Sequence, residues 1–280
     1  GTGKSHLLKI LSLLLSNKEV EGIRLGDYFK EKTLNEVNDF ELEGYINMSL
    51  RVPTQTILFN IDSVVDNAYR EGDKNILMPF KKMFDSALGY SDDPSVAKLE
   101  RDLNFAGKLE VFKDIFKRIS GKEWEDSRGR LLVMGDELDA AFAEALGRDP
   151  ASTTDIATKY ENETPLSLDS FINDIREYLA TKPTGFRLIF LVDEIGQYIS
   201  RDPRTMLNLQ TLIEDLAVAF NGRVWVMVTA QEEVTDMVKS MGSVQKSDYS
   251  KILGRFEIKV KLSSQNARDV IEKRLLRKKP

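Results

Sequence analysis

The 280-residue sequence contains no cysteine and a single histidine, His6. Without thiols the chain can form neither a disulfide nor a thiolate zinc site, and one histidine cannot build a histidine-clustered metal centre. Because cysteine-free chains suit a reducing compartment, we expect a cytoplasmic protein. The sequence also lacks any apolar run near the roughly 20 residues that span a bilayer, so we expect no membrane contact.

The chain carries no excess of positive charge. It has 40 basic and 45 acidic residues, which give a formal net charge of −5. An acidic domain has no overall field that attracts nucleic acid, so we expect any contact with DNA to be indirect or to involve other parts of the protein. The densest basic run, at residues 273–279, is typical of a solvated helix face.

Apolar runs alternate with amphipathic segments, which predicts an α/β protein with a parallel sheet flanked by helices. Strands are predicted at residues 55–61, 187–192, 223–229 and 256–262, the last with the period-two alternation of an edge strand. Helices are predicted at 5–15, 205–220 and 266–278, and further amphipathic helical faces at 109–119, 138–146 and 168–179.

Lys4 and Asp193 lie far apart in the sequence, and one βαβ unit takes only roughly 30 residues, so the long segment between the strands predicted at 55–61 and 187–192 suggests an insertion. We expect residues 1–63 and 166–263 to form the two parts of one core and 264–280 to begin a lid helix. Residues 64–165 are predicted to form a large helical insertion that packs beside the sheet rather than within it.

The first six residues, GTGKSH, match the second half of the phosphate-binding motif G-x-x-x-x-G-K-[ST]. We expect the first glycine of the motif and the first strand to lie upstream, in a longer protein. In this motif backbone N–H groups cradle phosphates, the lysine reaches the β- and γ-phosphates of ATP, and the hydroxyl binds Mg²⁺. A glycine turn before a helix is the structural alternative. The predicted ATP-binding residues are Gly1, Thr2, Gly3, Lys4, Ser5 and His6, with Lys4 also catalytic and Ser5 also a Mg²⁺ ligand.

Two acids follow the buried strand predicted at residues 187–192. Because they lie far from residues 1–6, they give an independent test of the predicted phosphate-binding site. Asp193 is predicted to hold Mg²⁺ and Glu194 to polarise the attacking water. Two solvated acids at a strand end are the alternative. A similar run at residues 131–137 ends in Asp136 and Glu137, but it continues into helical spacing, and we expect no Mg²⁺ site there.

Polar residues near the later strands complete the candidate catalytic set. Thr229 and Gln231 end the strand at 223–229 and could sense the γ-phosphate or place the water, although ordinary strand-end polarity explains either residue equally well. Arg255 precedes the last predicted strand. In ring-forming ATPases such an arginine reaches the neighbouring subunit's γ-phosphate, and a surface arginine is the alternative.

These motifs resemble the large P-loop ATPase of BREX phage-defence systems, the BrxC/PglY family. The likeness lies in residues 1–12, 52–62 and 190–199, extends to 208–211, 228–232 and 273–276, and spans nearly the whole chain. It implies an AAA+-like ATPase domain, with ATP and Mg²⁺, in a longer cytoplasmic protein. It also implies self-association through the nucleotide interface and a role in restricting phage alongside other BREX components, including a DNA methyltransferase.

Three functions remain open at the level of sequence. The first is an ATPase whose turnover drives a defence complex, and Glu194 favours it because a water-activating base serves only hydrolysis. The second is a scaffold that ATP holds together without turnover. The third is a DNA-loading ATPase of the replication-initiator kind, against which the acidic composition argues. Because the first strand and loop glycine are missing, we expect this chain alone to bind ATP weakly or not at all.

Overall fold

The computed structural model describes residues 3–37, 39–64, 75–129, 133, 135–163, 166–199, 203–230, 256 and 258–260. The chain divides into two compact units. We call Gly1–Ile76 with Asp174–Pro280 the sheet unit and Leu77–Asn173 the helical unit. The helical unit therefore starts and ends later in the chain than the insertion predicted at residues 64–165.

The sheet unit is built on three parallel strands among its described residues, in the order β3 (Thr54–Asn60), β4 (Arg187–Asp193) and β5 (Val224–Val228). Asn60 lies opposite Asp193, and Val192 lies opposite Val228. The central strand β4 is an unbroken apolar run whose residues 188–192 are all buried. Buried on both faces, it forms as the continuous apolar pattern predicts for a parallel sheet.

Helices cover this sheet, so the described chain is mixed α/β as predicted. Their bounds in the sheet unit are α1 (Lys4–Ser16), α2 (Leu25–Val37), α3 (Phe40–Leu50), α4 (Ile61–Val64), α12 (Ile195–Ile199) and α13 (Pro203–Phe220). A small antiparallel hairpin, β1 (Glu19–Val20) and β2 (Ile23–Arg24), precedes α2. None of the helices in the described ranges is long and apolar enough to cross a membrane.

Helix α1 is anchored to the sheet through its apolar side. Leu8 is 5% exposed and packs with Ile189 and Leu191 of β4. Burying a leucine side chain of this kind stabilises the fold by roughly 1.5–3 kcal/mol. The hydroxyls of Ser12 and Thr56 add a hydrogen bond of 2.9 Å between α1 and β3. These contacts fix the start of α1 relative to the ends of the strands.

The strand predicted at residues 256–262 does not form over the part of it that the structure describes. Phe256 and residues 258–260 have no strand pairing there, and the side chains of Ile258 and Val260 are 76% and 74% exposed. Alternating apolar residues stabilise a strand only when one face is covered, and these two side chains are uncovered. The helix predicted at 266–278 lies outside the described residues.

The helical unit consists of helices in its described residues: α5 (Leu77–Ala87), α6 (Pro94–Phe105), α7 (Leu109–Ser120), α8 (Trp124–Ser127), α9 (Gly135–Leu146), a 3₁₀ turn (Pro150–Ser152), α10 (Ile156–Glu163) and the first part of α11 (Leu168–Ala180). Its core holds Trp124 edge-on to Phe112 and Phe116, with ring centroids 4.9 and 5.1 Å apart. The buried carboxylate of Glu100 accepts hydrogen bonds from Trp124 Nε1 and Arg128 Nη1 at 2.7 and 2.9 Å.

Tyr178, in the part of α11 that belongs to the sheet unit, ties this helix to β3. Its hydroxyl donates to the amide oxygen of Gln55, and its ring packs edge-on against Phe186 at 6.0 Å. Burial raises the pKa of Tyr178 to about 12. The phenol is therefore held in its neutral form by the fold.

We predict that Tyr178 makes the stability of the fold sensitive to alkaline pH. A phenol in the unfolded chain has a pKa of about 10, so above that pH the unfolded state loses its proton first. The contribution of Tyr178 is complete below pH ~10 and is lost as the pH rises towards 12. The free energy of unfolding in urea, compared between the parent and Tyr178→Phe, should therefore show a gap that narrows from pH 8 to pH 11. A constant gap would contradict the prediction.

Candidate functional site

The carboxyl edge of the parallel sheet gathers several residues that the sequence marked as functional, together with Asn60, which it did not mark. Asn60 and Asp193 end β3 and β4 at the same register position, and Thr229 directly follows β5. The backbone N–H of Thr229 donates to the Val192 carbonyl at 3.0 Å, which continues the pairing of β4 and β5 by one step. Crevices at this edge are where open α/β sheets bind ligands.

Lys4, the lysine of the predicted phosphate-binding loop, reaches this edge from the start of α1. Lys4 is the first residue of the helix, and its Nζ donates to the carbonyl of Ala230 at 2.7 Å. Ala230 follows Thr229, so the ammonium group lies beside the end of β5. The contact joins residues that are far apart in sequence, and it places the positive charge of Lys4 at the strand ends.

Gly3 sets the direction in which the chain enters α1. Its φ of 78° lies in the left-handed region, which favours glycine. A Cβ there would meet no atom within 4 Å, so the backbone angle alone calls for glycine. No side chain of the described residues caps this helix start. Its first-turn N–H groups are therefore suited to an anion.

The other residues of the predicted phosphate-binding loop are not joined to the strand ends as Lys4 is. Ser5 and His6 lie in the first turn of α1 and are exposed. Within the described part of the chain, no hydrogen bond joins either side chain to Asp193. Gly1 and Thr2, together with the predicted catalytic residues Gln231 and Arg255, lie outside the described residues. The structure thus brings Lys4 to the strand ends and leaves the role of Ser5 as a prediction.

Thr229 connects the two acids. Its hydroxyl donates to Asp193 Oδ1, while its oxygen accepts the backbone N–H of Glu194 at 3.0 Å. That N–H also lies 3.1 Å from Asp193 Oδ1. One hydroxyl therefore orients the Asp193 carboxylate and the backbone of the next residue together.

Glu194 has a backbone conformation that only a supporting structure maintains. Its φ is 59°, in the left-handed region that non-glycine residues rarely adopt. Such a conformation costs about 1 kcal/mol or more, and residues of this kind cluster at functional sites. The Glu194 N–H donates to the Thr229 hydroxyl oxygen and to Asp193 Oδ1. These two hydrogen bonds stabilise the turn that directs the chain away from β4.

Asn60 binds the side chain of Glu194, and sequence reasoning missed it. Its Nδ2 donates to Glu194 Oε2 at 2.7 Å, while its Oδ1 accepts the backbone N–H of Asp62 at 3.0 Å. The second bond fixes which end of the amide faces Glu194. The sequence offered one signal for its role, since Asn60 is a polar residue at the end of a strand predicted to lie in the same sheet as the strand before Asp193.

The chemistry of this edge suits a hard divalent cation bound only in part by protein. No group of three or more histidine, cysteine, aspartate or glutamate residues that could hold a metal occurs among the described residues. Mg²⁺ commonly takes one or two carboxylates and completes its octahedron with water and phosphate oxygens. Asp193, with the hydroxyl of Ser5 as the other predicted ligand, fits that requirement and provides no soft ligands for zinc or copper.

The second acidic pair, at residues 136 and 137, lies in different surroundings. Asp136 and Glu137 occupy the first turn of α9, which begins at Gly135 in the helical unit. Acids in a first turn interact favourably with the helix dipole. The prediction that this pair continues into a helix is confirmed.

We predict that the Thr229 hydroxyl stabilises the fold as well as the site. Thr229→Val keeps the shape but leaves Asp193 and the Glu194 N–H with one partner fewer, so the free energy of unfolding should fall by about 1–2 kcal/mol. Thr229→Ser keeps the hydroxyl and should retain most of the stability. Urea unfolding of the three proteins measures both effects. A loss of stability in the serine variant with none in the valine variant would show that the methyl group matters and the hydroxyl does not.

No protein-family model matches this chain, and no solved structure matches it. The likeness to the BrxC/PglY family therefore rests on the sequence motifs alone. The chemical interpretation of the site rests on its own contacts.

Proposed function

We propose that this chain is a Mg²⁺-dependent ATPase domain of the AAA+-like P-loop class. The observation that supports this proposal most is the meeting of Lys4, Asp193, Glu194 and Thr229 at one edge of the sheet. A cation from a helix start, a carboxylate, a second acid and a hydroxyl are the groups that phosphoryl transfer to water requires. Lys4 and Thr229 come from segments far apart in sequence, and the fold brings both to that edge.

Lys4 would provide the main electrostatic attraction for the nucleotide. Its ammonium donates to the neutral carbonyl of Ala230, and a phosphate oxygen is a stronger acceptor because the bond is charge-assisted on both sides. A triphosphate at the start of α1 would therefore draw the ammonium away from Ala230. The N–H groups of the first helical turn would share the remaining negative charge.

Glu194 would act as the base that orients and deprotonates the attacking water. Among the described residues, Asn60 is the side chain that binds this carboxylate, and it occupies Oε2, which leaves Oε1 to accept from water. Asp193 and Ser5 would hold Mg²⁺, which neutralises charge on the phosphates when bound. Thr229 keeps Asp193 oriented through its hydroxyl.

The resemblance to the BrxC/PglY family extends the proposal to biology. We infer a cytoplasmic ATPase that self-associates and couples ATP turnover, or ATP-dependent assembly, to DNA modification and phage restriction. A scaffold that binds ATP without hydrolysing it would use the same site. The two differ in one respect that can be measured, since only the first needs Glu194 to accept a proton.

We predict that Lys4→Ala weakens ATP binding about 10- to 100-fold, because a hydrogen bond to a charged group is lost. Isothermal titration with ATP and Mg²⁺, on the native polypeptide that carries this sequence, measures the change. Lys9→Ala is the matched control, since Lys9 is an exposed lysine on the same helix. Equal affinity for ATP in Lys4→Ala and the parent would show that the start of α1 does not bind the nucleotide.

We predict that Glu194→Gln binds ATP within about threefold of the parent but loses at least 100-fold in turnover, the low end of what a general base contributes. Glutamine keeps an oxygen that can accept from Asn60, so the local structure is preserved while the base is removed. Phosphate release gives the rate, and Glu19→Gln, at an exposed glutamate on β1, is the control. Normal turnover in Glu194→Gln would reject this residue as the base. If the parent binds ATP with no phosphate release, the scaffold is favoured.

A further inference from the structure

The helical unit contains a cavity of about 320 Å³ bounded by α6, α9, α10 and the turn after α9. Its inner surface includes Leu103, Phe142 and Ile156, which are 1%, 4% and 4% exposed. Cavities that bind small molecules range from roughly 300 to 1,000 Å³ and are mostly apolar with a few placed polar groups. This one is at the small end of that range.

The lining of the cavity carries basic side chains in excess. Lys98, Arg148 and Lys159 line it, with Asp102 as the single acid. Asp102 is already satisfied, since Lys98 Nζ donates to its Oδ1 and the Tyr160 hydroxyl donates to its Oδ2 at 3.1 Å. That pairing neutralises Lys98 and leaves the charges of Arg148 and Lys159 to act on whatever enters.

Arg148 is held in place before any ligand binds. The turn that ends α9 has Gly147 at a φ of 64°, and the Arg148 N–H donates back to the Ala143 carbonyl at 2.8 Å. This helix-ending motif fixes the backbone. The guanidinium lies 5.6 Å from the centre of the Phe142 ring, which supports its flat face. A pre-positioned cation costs less to order when an anion binds.

We propose that this cavity binds a small organic anion whose flat apolar body lies against Phe142, Leu103 and Ile156. Its carboxylate, sulfonate or phosphate head would face Arg148 and Lys159. About half of the accessible lining is apolar, so contact with the body contributes only part of the binding. Within the described part of the chain neither Arg148 nor Lys159 forms an ion pair that would compete for the head. The volume limits the body to one or two rings. The site is separate in its residues from the proposed ATPase site and does not depend on it.

The test uses 5-dimethylaminonaphthalene-1-sulfonate, a two-ring aromatic sulfonate whose fluorescence rises on burial. Titration of the folded protein should give saturable binding to one site. Arg148→Gln and Lys159→Gln should each weaken binding about tenfold, the loss expected for one charge-assisted hydrogen bond. Lys117→Gln, at an exposed lysine on α7 paired with Glu123, should leave the affinity unchanged. Rising salt should weaken binding to the parent more than to the double variant.

A second variant tests the cavity without changing its charges. Ala106 lies at the exposed end of α6 and lines the cavity, so Ala106→Trp should fill the space and abolish binding while circular dichroism shows an unchanged fold. 1-Naphthoate should displace the dye, whereas ATP should not, and Lys4→Ala should bind the dye as the parent does. Unchanged affinity in the Arg148→Gln and Lys159→Gln double variant, or displacement of the dye by ATP, would overturn the proposal.

Discussion

The parallel register of β3, β4 and β5 is the constraint on which the candidate ATPase site depends. It sets Asn60 opposite Asp193 and lets the residue after β5 continue the pairing with Val192. A slip of one residue would turn every side chain of a strand to the other face, and with β4 buried on both faces such a slip would disrupt the core. The apolar packing that stabilises the sheet therefore also fixes the relative positions of the polar groups at its edge.

That edge shows how a stable core supports an unfavourable local structure. Glu194 adopts a left-handed backbone conformation directly after the most buried strand of the sheet. The strain is maintained because Thr229 and Asp193 both accept its N–H, and because β4 and β5 hold those two acceptors in place. A carboxylate on a flexible loop would lose entropy each time it oriented a water, the role that we propose for Glu194, whereas here that entropy is lost during folding.

Much of the sheet unit and of its candidate site was predictable from local sequence patterns, and two parts were missed for different reasons. The strand before Asp193 and the helix after the phosphate loop each carry a local pattern, so their residues could be identified from sequence. Asn60 could not be paired with Glu194 in the same way, because the bond joins segments 134 residues apart and a strand order is needed to see it. Over the described residues of the strand predicted at 256–262 the reason is different: Ile258 and Val260 have the right alternation, but their exposed side chains gain nothing from it.

The identity of residue 60 also follows from the charges around it. Asp193 and Glu194 already place two carboxylates at the edge. A third acid at position 60 would repel both, because like charges that are close enough to share a hydrogen bond destabilise each other. A neutral amide avoids the repulsion and still donates to Glu194. Because the Asp62 N–H occupies Asn60 Oδ1, the amide cannot rotate without breaking that bond and presenting an acceptor to an acceptor. Asn60 therefore restrains Glu194 without adding a third negative charge to the edge where we propose that a polyphosphate binds.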